Sequence, residues 1–510
     1  MRSVMANAAT DYERVTEREK SAAALRPPWD TGWMRAGKIL LAAMACTVAA
    51  CSSGVAATET QTAPPPPQVT LGAGGAGATG GYPAAAWPEF GQNAARTGIA
   101  AGLPAAGPLS QRWTAHLDGA VYGQPLVVGD TVIAATENDS VYALNASTGG
   151  VVWRHHLGTP VPLSSLQCGD IDPLGITGTP VYDQGNGLVY AVAETTGYHH
   201  VLFGLAVSDG AIRVQRDIDI PTAGNHPSND QQRPALAIDD GRVYAAFGGL
   251  AGDCGTYIGF IVGVPLSGSG PLVSWHTPTT REGAIWATGG PVTAPDGDLW
   301  VSTGNGAAEN PAEPYDGSDS VVKLTPDLVR EDFFAPATWA DDNANDRDLG
   351  STQPVLAAGN SVLIIGKRGV GYLLNESALG GIGHQLAEQT ICGAFGAAAV
   401  SGSTVYEPCS DGGLAAVSVS AAQRNISVLW RGPGDSNGSP VVGGGAVWVT
   451  HYDPGGSSSG NTLYELDPAT GAVRHQLAIG EGLPHFSSLS LAGGTAFLGT
   501  LDGVAAVNGA

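Results

Sequence analysis

Residues 124 to 136 read QPLVVGDTVIAAT: a Pro, a short apolar run, a Gly-Asp turn, then a second run rich in Val, Ile and Ala. The same phrase returns as TPVYDQGNGLVYAVAE from Thr179, RPALAIDDGRVYAAFG from Arg233 and GPVTAPDGDLWVSTG from Gly290. It continues as QPVLAAGNSVLIIG from Gln353, AAAVSGSTVYEPC from Ala397, SPVVGGGAVWVT from Ser439 and SLSLAGGTAFLGT from Ser488. These are eight copies, their starts 42 to 63 residues apart. Each holds two β-type runs about a turn signal. Units of this period without helical patterning are what the four-stranded blades of a propeller require.

After several copies comes a third run and a tight turn, as in VYALNASTGGVVWRH from Val141 and LYELDPATGAVRHQL from Leu463. These resemble the Ala-x-Asp-x-x-Thr-Gly-x-x-x-Trp docking motif of the pyrroloquinoline-quinone (PQQ) repeat family, the quinoprotein alcohol dehydrogenase-like propellers, whose Trp wedges between blades. Trp153 keeps that Trp, and His475 replaces it in the last copy. The segments Trp87-Pro88-Glu89-Phe90 and Arg96-Thr97-Gly98 resemble the entry into such propellers. The expected fold is all-β: an eight-bladed β-propeller of four-stranded antiparallel blades. LSQRWTAHL from Leu109 has no partner of its own and the eighth unit ends at Ala510 without an outer strand. The N-terminal strand is therefore expected to close the ring, which removes both free edges.

Composition agrees. With 74 Gly and 34 Pro against 14% charged residues, the chain is turn-rich and poor in helix formers. The formal net charge is -23, and residues 1–50 carry 7 of the Lys/Arg and 5 of the Asp/Glu, so the remainder stands at -25. Such a surface repels phosphate backbones, and nucleic acid is excluded as a partner class.

Arg35 and Lys38 precede an apolar run from Ile39 to Val48, then Val48-Ala49-Ala50-Cys51. This is the order of a secretory signal, too short to span a bilayer permanently. The tetrapeptide resembles a bacterial lipobox, which makes Cys51 the lipidation site; an ordinary signal cleaved nearby would leave it a free thiol. The expected divisions are 1–33, an unstructured extension or a start placed too early given Met34; 34–50, the lipoprotein signal peptide; 51–86, a flexible tether rich in Pro, Gly and Thr; and 87–510, the propeller. The protein is expected to be extracytoplasmic and held to the cell membrane by the lipid alone.

Cys168, Cys254, Cys392 and Cys409 remain for the exported body, an even number that suggests two disulfides in one of three connectivities. Cys392 and Cys409 flank a hairpin turning near Ser401-Gly402, which pairs them and leaves Cys168 for Cys254. C-x-x-C-H does not occur, so no c-type haem is attached to the chain.

In a propeller, the loops entering the inner strands and those joining second to third strands gather on one face about the axis. Here they carry Asp170, Asp172, His226, Arg233, Lys367 and His485, among others. The resemblance to PQQ-dependent alcohol dehydrogenases implies further roles. Trp286 precedes LWVSTGN, ending at Asn305, as a Trp precedes Gly-Thr-Gly-Asn in that family; it would form the floor under the quinone while Asn305 ligates calcium. Lys367 in GKRGVGYLLN matches a cation contacting the quinone, and Glu194 stands near a calcium-ligating Glu. A hard cation takes such oxygen ligands and would polarise a quinone carbonyl. The general base of the family aligns on Thr325, whose hydroxyl cannot accept a proton at neutral pH, leaving Asp319 or Asp172 to replace it. The run Asp341 to Asp348 alternates oxygen side chains but lacks the Gly and closing Glu of a calcium loop. The adjacent pairs His155-His156 and His199-His200 point to opposite faces of a strand, so neither is a chelate.

Position 325 thus favours a ligand-binding or protein-interaction scaffold in the cell envelope, its partner a small molecule or an envelope protein on the central face. The alternative is a PQQ- and calcium-dependent dehydrogenase of alcohols or sugars that passes electrons to a separate carrier. Propeller lipoproteins of the outer-membrane assembly type share the repeat without being enzymes, an analogy of class alone.

Overall fold

A computed structural model of the chain describes residues 87–220, 226–457 and 460–509. The readings of the leader, of Cys51 and of the tether lie outside them. Each of the eight repeated phrases forms the two inner strands of one blade. In the first blade these are Leu126–Val128 and Thr131–Thr136, followed by Ser140–Asn145 and the outer strand Val151–His156. Seven more sheets repeat that antiparallel order, and three of them carry one short extra strand. The eighth has inner strands Leu489–Ala492 and Thr495–Thr500, then Gly503–Asn508, which pairs antiparallel with Ser110–His116 from the other end of the chain.

Alternation decides which strands are covered. Outer strands such as Val151–His156 and Val473–Ala478 bury little, whereas the second strands are buried along nearly their whole length because both sheet faces meet neighbours. The apolar clusters accordingly lie between blades: Ile133, Val189 and Phe203 join the first two blades, and Trp300, Phe334 and Ile364 join the fourth to the fifth.

The tryptophan of the docking motif seals these seams from outside. Trp153 donates from Nε1 to the Val207 carbonyl at 2.8 Å, and its ring lies where a Cβ on Gly210 would come within 2.7 Å. Gly210 has φ +71°, so the turn needs glycine for both reasons. Trp113 repeats the arrangement on Ala146 and Gly149, and Trp430 on Pro468 and Gly471. In the seventh blade His475 instead binds Glu465, Nδ1 to Oε2, at 2.9 Å.

Residues 87–100 run through the middle of the ring. Trp87 bridges Val127 of the first blade, the Tyr182 amide of the second donates to the Pro88 carbonyl, and Ile99–Ala100 lies parallel to Val441–Gly443 of the seventh. The Arg96 guanidinium donates to the Leu236 carbonyl at 2.8 Å and the Pro291 carbonyl at 3.2 Å, joining the third and fourth blades, and pairs with Glu89 at 2.7 Å. This segment satisfies backbone groups of the inner strands that would otherwise face an open channel.

Both disulfides follow the expected pairing: Cys168 with Cys254, 86 residues apart, and Cys392 with Cys409, 17 apart. Among the described residues no helix is long and apolar enough to cross a membrane.

Candidate functional site on the central face

With strands antiparallel and the first strand innermost, three places in each blade share one end of the ring. They are the approach to the inner strand, the turn between second and third strands, and the exit from the outer strand. Trp286 lies on the approach to the fourth blade, Phe395 to the sixth and Phe486 to the eighth. Loops of alternate blades can touch only at the axis, and these do. Phe395 and Phe486 stack with centroids 5.8 Å apart, and the Trp286 ring stands 6.2 Å from the first and 6.3 Å from the second. His485 meets Phe486 edge-on at 5.0 Å and Tyr122 at 5.1 Å. Phe486 holds φ +59°, a strained conformation for a bulky residue, of the kind that clusters at binding sites.

Lys367 places Nζ 5.6 Å from the Trp286 ring centre and pairs with both Asp346 and Asp348 at 2.6 Å. Burial opposes its charge, but those two carboxylates more than offset it and raise its pKa. Asn305 belongs to the same group: its amide donates to Asp348 at 2.7 Å, its Nδ2 to Asp346 at 3.0 Å, and its Oδ1 is buried with no hydrogen bond. Asp319 sits beneath, fully buried at φ +44°, accepting from the Leu349 amide at 2.8 Å while its Oδ2 is unpaired. Burial, with the charge of Asp348 beside it, pushes the Asp319 carboxyl well above the usual range. Trp286, Asn305 and Lys367 are thus brought together.

Glu194 is not part of that group. It ends the second strand of the second blade and faces His200 across the hairpin, Oε2 to Nε2 at 3.4 Å, while His200 Nδ1 binds Asp219 at 2.8 Å. Burial works against charge on His200, yet the two carboxylates hold it up at about 10. His199 on the opposite face also reaches Asp219, at 3.5 Å, so the adjacent histidines share a carboxylate. Nearby, burial pushes Glu137 and Asp139 up to about 8.

Thr325 stands in the turn between third and fourth strands, its amide bonded to the Val329 carbonyl, at the far end of the blade. Asp319, at the near end of the same strand, occupies the position beside Asn305 and Asp348. Six residues of extended chain span about 20 Å, one whole strand, so the two positions lie at opposite ends of the blade. The acidic run is neither a solvated loop nor a free ligand set. A short helix, Trp339–Ala344, carries Asp341 and Asp342 onto Arg368, and Asp346 and Asp348 hold Lys367. The aromatics Phe395 and Phe486 were missed because they lie in blade-linking loops where no repeat register exists. The strained Phe486 beside His485 carried no signal that sequence alone displays.

For calcium under a quinone, the unpaired oxygens of Asn305 and Asp319 suit a hard cation. Glu194 gives its Oε2 to His200, while its Oε1 is buried without a hydrogen bond.

The fold and the repeats define the class: an eight-bladed β-propeller with one copy of the repeated two-strand phrase in each blade. A family model described as outer membrane protein assembly factor BamB matches residues 108–251. Polyvinylalcohol dehydrogenase of a Pseudomonas species is 45% identical over 47 residues, 9% of this chain and 7% of that protein's length. Quinohemoprotein alcohol dehydrogenase from Comamonas testosteroni superposes with TM-score 0.62 at 15% identity, covering 83% of this chain and 80% of the other. BamB from Moraxella catarrhalis gives 0.54 at 14% identity over 78% and 99%. At these identities the structural likeness speaks for the fold alone.

Proposed function

We propose that this is an extracytoplasmic, lipid-anchored propeller that binds a small ring-bearing molecule on its central face. The observation that carries the reading is the aromatic group of Trp286, Phe395 and Phe486, delivered by alternate blades to the axis and bordered by buried polar atoms without partners. Aromatic faces supply area and stacking, and the unpaired polar atoms supply orientation. Two disulfides and the matched assembly-factor model support the extracytoplasmic address, and the Val48 to Cys51 lipobox supports the anchor.

A second reading, a PQQ- and calcium-dependent dehydrogenase, is favoured by Asp319: a buried carboxyl beside Asn305 and Lys367, where Thr325 is not. Its role there would be to accept the substrate hydroxyl proton. Calorimetry of the full chain with PQQ, with and without calcium, alongside dye-linked oxidation of alcohols and sugars, separates the two. Turnover that vanishes in Asp319→Asn establishes the dehydrogenase; ring-ligand binding without turnover establishes the binding protein.

A further inference from the structure

On the outer half of the second blade, two strands bring a histidine and two carboxylates to one point. His199 opens the third strand, His199–Ala206, and Asp217 ends the outer strand, Ile212–Asp217. The antiparallel register sets Asp217 opposite Val201, and the Ile218 amide carries the pairing on to the His200 carbonyl at 3.0 Å, which brings Asp219 opposite His199. Ile218 is fully buried, so the residues on either side of it face the other way, as alternation along extended chain requires. His199, Asp217 and Asp219 thus share one face, with one ring nitrogen or carboxylate oxygen of each within 4.8 Å of the other two.

His199 Nδ1 lies 3.4 Å from Asp217 Oδ2 and 3.5 Å from Asp219 Oδ2, both longer than an ordinary hydrogen bond. A zinc-class ion bound at about 2.0–2.1 Å in tetrahedral geometry sets its ligands about 3.3–3.4 Å apart, which is close to the spacing found. The three atoms surround a point rather than bond to one another. Both carboxylates are held from behind. Asp217 Oδ1 accepts from the Asp219 amide at 3.1 Å, and Asp219 Oδ1 accepts from Nδ1 of the fully buried His200 at 2.8 Å, so each turns its Oδ2 towards His199. A hydrogen-bonded partner behind a ligand is what orients it in metal sites. The comparable group His116, Glu481 and Asp502 differs on this point: His116 Nδ1 and Asp502 Oδ2 are hydrogen-bonded at 2.6 Å and satisfy one another directly.

We propose that His199, Asp217 and Asp219 form a binding site for a divalent transition-metal ion of the zinc class. The imidazole nitrogen selects against calcium and magnesium, which take oxygen ligands, and three protein ligands leave a further position to water on this exposed strand end. The site is independent of the ring site on the central face: the two have no residue in common, and either can stand without the other.

The test is calorimetric titration of the untagged, metal-free full chain with zinc chloride, with cobalt(II) chloride as a second probe whose visible absorption reports the ligand geometry. A single zinc ion per chain is expected, and calcium chloride in excess should not displace it. His199→Ala and Asp217→Asn should each weaken binding at least tenfold, since disturbing even a supporting partner of a ligand costs about 10–100-fold, whereas His116→Ala should leave it unchanged. His199 and Asp217 are exposed, so neither substitution threatens the fold, and melting curves of the variants confirm it. Failure of the unaltered chain to bind zinc and cobalt stoichiometrically overturns the site. Binding that survives both His199→Ala and Asp217→Asn overturns it as well, and so does binding lost in His116→Ala, which places the ion at the other cluster.

Discussion

Replacing Arg96 by Met tests whether residues 87–100 hold the ring together from within. The side chain is 2% exposed and donates to Leu236, Pro291, Phe90 and Glu89. Methionine fills most of the volume but donates nothing, so three buried carbonyls lose an acceptor role and Glu89, itself 8% exposed, loses its counter-ion. Removing one partner of a buried pair costs about 3–5 kcal/mol. Burial already raises the Glu89 pKa despite Arg96, so the stranded carboxyl can take up a proton, and the loss should shrink as pH falls from 7 towards 5. Equilibrium urea unfolding, read from the midpoint with the slope checked for constancy, measures it. The double variant Glu89→Leu with Arg96→Met should recover a good part of the loss, because replacing both charges by apolar groups is often nearly neutral. A loss below about 1 kcal/mol for Arg96→Met, or a double variant worse than the single, would refute the argument that this pair locks the blades to the central segment.

Three further outcomes are expected. Gly210→Ala should cost more than the roughly 1 kcal/mol that a positive φ alone demands, since its Cβ would come within 2.7 Å of Trp153; urea midpoints against Gly187→Ala, which has φ +74° and an open surround, isolate the clash. Thermal stability should be highest near pH 5 and decline towards pH 9. Glu137, Asp139 and Glu407, each at about 8, keep protons that the unfolded chain releases above its ordinary carboxyl range, and His200 at about 10 keeps one that it releases near 6.5. The folded state thus binds more protons throughout that window, and a flat or rising melting curve would contradict the burial of these groups. Replacing Cys168 and Cys254 by Ser should cost more than replacing Cys392 and Cys409, about 4.6 against about 3 kcal/mol, because the first pair closes the longer loop; melts in parallel decide it.

What the chain shows before folding is whatever depends on neighbours within a few residues. The two inner strands of every blade are written as apolar runs about a Gly, Asp or Asn turn, and all eight lie where the repeats place them. The Cys392–Cys409 pair was readable from its hairpin. What remained hidden depends on contacts across the ring. Arg96 reaches Leu236 and Pro291, 140 and 195 residues away, and nothing local marks a surface-type residue for burial there. Trp286, Asn305 and Lys367 could be lined up by motif because each sits at a fixed offset from a strand. Glu194 had only an approximate offset, and its partner His200 lies across its own hairpin. Thr325 and Asp319 show how register matters: they flank Val321–Leu324 at its two ends, so a shift of one strand length moves a residue from the central face to the opposite one.

The central claim is that the aromatic group at the axis is a binding site for a ring-bearing molecule. Ligand-observed NMR with a panel of small ring compounds on the full chain addresses it directly, with Trp286→Ala and Phe486→Ala as controls whose melting curves confirm folding. The account predicts that several compounds bind, compete for one site, and lose at least tenfold in affinity in either variant. Absence of binding across the panel, or binding that both variants retain, would contradict it.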